Sequence, residues 1–256
     1  MANPLAVGMF GAWPADPVER AAAAAAAGLR RPVPAGMSAA LEALVNDDED
    51  GRVRAAALGA LARLPDPPPG ASPSAGASLR AGAWLRAAAD RDPGVRRRAA
   101  DLAPAFAGVV TDRRSSGTPP VPQERRSGPH GPAAIPGALV GMLGDPDAAV
   151  AEAAAWALGE LGARSVEAGA VGPLAEAAGS HDDPLVREAA VAALGALGDP
   201  GGLEAVLAAC SDKPTIRRRA VLALAAFEGP AVEAALRTAL TDKDWQTRQA
   251  AEDLLA

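Results

Sequence analysis

The sequence predicts an all-helical solenoid of about six stacked helical hairpins, and three observations carry that expectation. The chain is 49% hydrophobic, yet aromatics make up only 3% and Tyr is absent, so the apolar content is Ala with Leu and Val. Ala and Leu lead the helix propensities, and Ala is depleted in strands. Short acidic turns recur, each leading into an Ala-rich run: residues 48–53, 90–95, 145–150 and 242–247, and more loosely 181–186 and 211–216. Behind every turn the same apolar pattern returns, which is how stacked-repeat architectures announce themselves.

The second helix of each unit is the clearest element. Val53, Val95, Val150, Val186, Ile216 and Thr247 serve as anchors, followed four residues later by Ala57, Ala99, Ala154, Ala190, Ala220 and Ala251. Eight residues after the anchor come Leu61, Ala103, Leu158, Leu194, Leu224 and Leu255. Offsets of 0, 4 and 8 share one helix face. The anchor and the Leu fill space, while the Ala admits a neighbouring backbone. Successive anchors lie 42, 55, 36, 30 and 31 residues apart. The last two spacings give the bare repeat, and the longer ones add loops.

A first helix precedes each turn. Its apolar stripe is Leu41, Leu44 and Val45 in the first unit, and Leu139, Val140 and Leu143 in the third. In the fifth it is Leu203, Val206 and Leu207, and in the sixth Val232, Leu236 and Leu240. One such hairpin cannot bury its own apolar face, so stacking is required for a continuous core. Residues 1–37 form an N-terminal segment in which Val18 to Leu29 is a candidate capping helix. Residues 38–106 are front repeats with a Pro/Gly/Ser-rich loop at 65–78, and 138–256 are a rear repeat array. Between them, residues 107–137 read as a flexible linker rich in Pro, Gly, Ser and Arg.

Residues 182–195 read Asp-Asp-Pro-Leu-Val-Arg-Glu-Ala-Ala-Val-Ala-Ala-Leu-Gly. This stretch and its counterparts over 38–64 and 80–256 resemble HEAT repeats, above all the short bacterial kind also found in phycobilisome lyase-type proteins. The resemblance implies a right-handed α–α superhelix whose second helices line the concave side. It also implies a ladder in which the Arg after each anchor pairs with a turn Asp of a neighbouring unit. Arg54, Arg96, Arg187, Arg217 and Arg248 match the Arg, and Asp48, Asp90, Asp145 and Asp242 match the Asp five residues before the anchor. Ala151, His181 and Ser211 depart from the pattern, so the ladder is expected to be interrupted in units three to five.

The Asp three residues before the anchor, at Asp50, Asp92, Asp147, Asp183 and Asp244, occupies the N-cap of the second helix. A carboxylate there accepts orphan backbone N–H bonds and complements the helix dipole. Lys213 replaces it in unit five and predicts a weaker cap. Gly159, Gly162, Gly195 and Gly198 follow the unit Leu and are expected to mark helix ends. Trp84, Trp156 and Trp245 are expected to pack, and an exposed Trp would be a binding candidate.

Chemistry is sparse. Cys210 is the only cysteine, so no intrachain disulfide forms, and it reads as a buried small hydrophobe. The two histidines are His130 and His181, and His181 beside Asp182 and Asp183 lacks the converging ligands a zinc site needs. There is no phosphate-cradling Gly-rich loop, Gly-x-Ser-x-Gly elbow or His-Glu-x-x-His. No catalytic, cofactor or metal residue is therefore assigned. The stretch Met1 to Pro17 has no Lys or Arg ahead of its apolar part, unlike a signal peptide. No uncharged apolar run reaches membrane-spanning length, and a net charge of −6 opposes generic binding to nucleic acid or anionic membrane. A soluble, cytoplasmic protein is expected.

The expected function is a non-catalytic protein–protein interaction scaffold that grips a macromolecular partner on its concave surface. Arg97, Arg98, Arg218 and Arg219 are the candidate partner-binding residues, since the fold explains only the first Arg of the triplets 96–98 and 217–219. They would form exposed basic patches for an acidic partner. Two alternatives stand beside this reading. The resemblance would allow a phycobilin lyase-like or related accessory activity, for which no specific residue is evident. Nucleic-acid binding, as in HEAT-like DNA glycosylases, would need a basic, aromatic-lined face that the net charge disfavours.

Overall fold

The computed structural model of the chain describes residues 12–65, 73–108 and 134–256. Among the described residues there are fourteen α-helices and no strand. They fall into two compact units, Met1–Ile135 and Pro136–Ala256. The front unit holds α1 (Pro17–Ala27), α2 (Met37–Asp47), α3 (Gly51–Arg63), α4 (Pro73–Ala88) and α5 (Pro93–Phe106). At the boundary begins α6 (Ala134–Met142), and the rear unit continues with α7 (Ala148–Leu161), α8 (Ala163–Glu167), α9 (Val171–Ser180) and α10 (Pro184–Leu197). It ends with α11 (Leu203–Ala209), α12 (Pro214–Ala223), α13 (Pro230–Ala239) and α14 (Trp245–Leu255).

The six hairpins are α2/α3, α4/α5, α6/α7, α9/α10, α11/α12 and α13/α14, as the periodicity predicts. Within each unit the second helices stack in one row: α1, α3, α5 in front, and α7, α10, α12, α14 behind. The anchors Val53, Val95, Val150, Val186 and Ile216 and all six Ala of the next turn are fully buried. The third position is buried too, except at Leu255, which is 41% exposed. The 36-residue spacing between Val150 and Val186 is taken up by α8, an extra turn packed on α7 and α10.

Several boundaries differ from the sequence reading. The helix α4 starts at Pro73, inside the expected loop 65–78, and α6 starts at Ala134, inside the expected linker 107–137. Residues 66–72 and 109–133, which carry half of that loop and most of that linker, lie outside the described residues, as do 1–11. The candidate capping helix α1 is a second helix in its own right. It packs on α3, its N-cap Asp16 accepts from Val18 and Glu19, and Arg20 occupies the ladder position.

The N-caps follow the sequence. Asp50, Asp92, Asp147, Asp183 and Asp244 each accept a backbone N–H at their helix start, and Lys213 makes no side-chain cap. The glycines divide into two jobs. Gly162 (φ 58°) and Gly198 (φ 61°) end helices in the left-handed region that favours glycine. Gly195 lies inside α10, where a Cβ would come within 2.8 Å of the Ala223 Cα. Its role is close approach of α10 to α12, not termination.

Candidate functional site

The second helices present three layers of side chains: a buried face, a rim of arginine ladders at the turns, and an exposed face. At the rim Arg20, Arg54, Arg187 and Arg217 each reach forward to a carboxylate and back to carbonyls, while Arg248 of α14 donates to carbonyls alone. In the front unit Arg20 Nε donates to Asp48 at 2.6 Å, and Arg54 donates twice to Asp90 at 2.7 Å. Arg54 Nη1 also donates to the carbonyls of Asp48 and Glu49, closing its own turn. In the rear unit Arg187 pairs with Asp212 and Arg217 with Asp242. These are bidentate, charge-assisted bonds, the strong form of Arg–carboxylate contact.

The ladder is less interrupted than the residue pattern implied. Unit five supplies its carboxylate from Asp212, four residues before the anchor, because its turn is one residue shorter than the others. The one gap among the described rungs of the rear unit has both partners replaced, by Ala151 and His181. Ala151 is fully buried, and His181 Nδ1 accepts the Asp183 N–H at 3.1 Å, as the turn Asp does elsewhere. Losing both partners strands no buried charge, whereas losing one would.

The ladder fixes the charge state of its members. The Arg187 and Arg217 hydrogen bonds hold the Asp212 and Asp242 carboxyls below their ordinary value of 3.8. At Asp90 burial pushes the carboxyl up, but the Arg54 bonds and the Asp92 N–H outweigh it and the net shift is downward. Arg52 holds Asp50 down at about 2. Burial pushes the Cys210 thiol up to about 11, which leaves it unreactive; it is half-buried rather than fully buried. No group of His, Cys, Asp and Glu among the described residues could hold a metal ion. No described helix is long and apolar enough to cross a membrane.

On the exposed face of the rear unit, Trp156, Ala192 and Leu222 sit six residues after their anchors on three successive second helices. The row runs large, small, large. Trp156 is 41% and Leu222 46% exposed, and between them opens a cavity of about 410 Å³. Gly195, Ala223 and Arg219 also line it. The expectation that the tryptophans pack holds for Trp84, which is buried with its Nε1 donating to the Ala99 carbonyl at 2.7 Å. It fails for Trp156 and for Trp245, which is 63% exposed, because neither offset lies on the buried face.

The four candidate arginines are not equivalent. Arg219 stacks on the Trp156 ring at 5.5 Å from its centroid and reaches Glu188 at 3.3 Å, while its buried Nε has no hydrogen-bond partner. Arg218 donates to the Gln246 side chain. Both are half-buried and in contact with a neighbouring unit. In the front unit Arg97 is exposed, and Arg98 lies across Gly59 of α3. Neither is joined to a described residue by a hydrogen bond or ion pair.

Against known proteins, residues 135–215 match the family model of HEAT repeats. No curated protein matches the chain. Solved structures share the fold at low identity. The protein YibA of Escherichia coli is 18% identical with a TM-score of 0.62, over 94% of this chain and 77% of its own. An engineered protein is 20% identical with a TM-score of 0.54, over 84% of this chain and 94% of its own. A designed armadillo repeat protein in complex with the peptide (KR)4 is 15% identical with a TM-score of 0.53, over 84% and 96%.

Proposed function

Because the chain is a HEAT-like repeat protein, we propose that it is a non-catalytic scaffold binding a peptide segment of a protein partner along the exposed faces of its second helices. The observation that carries this reading is the rear cavity between Trp156 and Leu222. Two large apolar side chains flank one small residue on this exposed face, and Trp is among the residues enriched at binding hot spots. The cavity volume of about 410 Å³ falls in the range of ligand pockets and suits one or two apolar side chains. A structural neighbour of the same fold class holds a peptide, which supports the kind of partner without naming it. Neither a bilin lyase-like activity nor nucleic-acid binding is favoured by any arrangement of side chains among the described residues.

The test is a random peptide library displayed on phage and panned on the pure protein. Enriched peptides should bind Trp156→Ala and Ala192→Leu at least about tenfold more weakly, the loss expected of one hot-spot contact. Ala192→Leu fills the cavity while leaving every large side chain in place. Peptides that bind both variants as well as the wild type, or a library that yields no specific binder, would overturn the reading.

A further inference from the structure

We propose that the front unit carries an oxyanion site, formed by Arg98 of α5 and Arg63 of α3 over Gly59, that takes a phosphoryl group. The inference is independent of the rear cavity. A Cβ placed on Gly59 would lie 3.0 Å from Arg98 Nη2 and 3.6 Å from Arg63 Nη1, so two guanidinium heads converge over Gly59, which is itself buried. Like charges do not gather without a reason, and no carboxylate among the described residues explains it. Arg98 has no hydrogen-bond or ion-pair partner among the described residues. Arg63 donates through Nη2 to the Ala25 carbonyl at 3.1 Å, which leaves the Nη1 beside Gly59 uncommitted. Arg31 is not part of the pair, since its head is spent on the carbonyls of Gly28, Arg30 and Arg63.

Gly59 is the second observation. It stands six residues after its anchor, in the middle of α3, where the other second helices place Asp101, Trp156, Ala192, Leu222 and Asp253. Mid-helix glycine is unfavourable, and nothing in the backbone of α3 calls for it. Its missing side chain is the space into which the Arg98 head fits. Asp101, one turn after Arg98 on α5, is the acidic group on the same element; it is exposed and pairs with neither Arg97 nor Arg98. Two planar donor forks with no counter-ion among the described residues match a dianion better than a single carboxylate, because each fork can take two oxygens.

The experiment is a calorimetric titration at fixed ionic strength with inorganic phosphate, a phosphoserine peptide, and the same peptide with serine. Wild type should bind phosphate and the phosphopeptide, and bind the serine peptide at least about tenfold more weakly, the difference of one charge-assisted contact. Arg98→Gln and Arg63→Gln should each weaken phosphate binding by about the same factor. Arg52→Gln, which removes one charge from the far end of α3, should leave it unchanged. Gly59→Ala keeps every charge and favours the helix, yet should weaken binding because its Cβ displaces Arg98; its melting temperature reports that the fold is intact. Tighter binding of the phosphopeptide than of phosphate assigns the site to a modified side chain, and equal binding assigns it to the free anion. If Arg98→Gln and Arg52→Gln bind phosphate equally, or no phosphate binds at all, the site does not exist.

Discussion

Arg98 in the front unit and Arg219 in the rear unit occupy the same place, three residues after the buried anchor of a second helix. Each extends back over the preceding second helix. In the rear, Arg219 meets the Trp156 ring and the Glu188 carboxylate, so its charge is largely answered within the protein. In front, Arg98 meets a glycine and a second arginine. The surrounding charge differs the same way. Residues 136–256 carry nine Lys/Arg and eighteen Asp/Glu, whereas residues 1–135 carry sixteen and thirteen. The repeat decides where a side chain emerges; the neighbours decide whether it is a strut or a binding group.

The ladder belongs to both units, and breaking it should produce the largest effects. Arg54 is the most enclosed rung, with its side chain 5% and that of Asp90 11% exposed. Arg54→Ala should cost about 3 kcal/mol in urea denaturation, because it strands a buried carboxylate. The more open Arg217→Ala should cost about 1–2 kcal/mol. Equal losses would mean that enclosure does not set the strength of a rung.

Two glycine substitutions sharpen the comparison further. Gly195→Ala in the rear unit drives a Cβ to 2.6 Å from that of Ala223 and 2.8 Å from its Cα, so backbone must move. A loss of about 1–3 kcal/mol is expected for such overpacking. Gly59→Ala in the front unit meets only the mobile ends of Arg98 and Arg63, and should be neutral or stabilising by up to about 1 kcal/mol. A destabilised Gly59→Ala would show that the Arg98 head is fixed in place rather than free to yield.

Acid should act on the rungs of both units. Asp90, Asp212 and Asp242 have carboxyls held below 3.8. A depressed folded value contributes stability that is complete above the unfolded value and is lost as pH falls through the folded one. Denaturation midpoints should therefore stay level down to about pH 4 and fall below it. Asp242→Asn, already without that charge, should show a shallower fall than wild type. A fall that begins well above pH 4 would point to other groups.

The sequence was legible where one residue type repeats at a fixed offset. The six anchors, the five Asp caps and the missing cap at Lys213 all emerged that way. It failed where the offset slipped or the residue type changed. Asp212 was passed over because its turn is one residue short, and Arg20 because Glu19 stands where a β-branched anchor was sought. The spacing of Asp16 to Arg20, identical to that of Asp50 to Arg54, was the available signal. Trp156 lies six residues after Val150, an offset that leaves the buried face, so its exposure follows from position and not from residue type. Gly59 and Arg63 carried no signal along the chain, since their meeting with Arg98 exists only once α3 and α5 are stacked.

The most direct test of the contrast between the two arginines is a side-chain Nε–Hε correlation spectrum of the 15N-labelled protein, recorded with and without inorganic phosphate. The Arg219 Nε–H, buried beside the Trp156 ring, should be shifted by the ring, exchange slowly with water, and stay in place on adding phosphate. The Arg98 Nε–H should move progressively as phosphate is added. If the Arg219 signal moves with phosphate and that of Arg98 does not, the assignment of strut and binding group is the wrong way round.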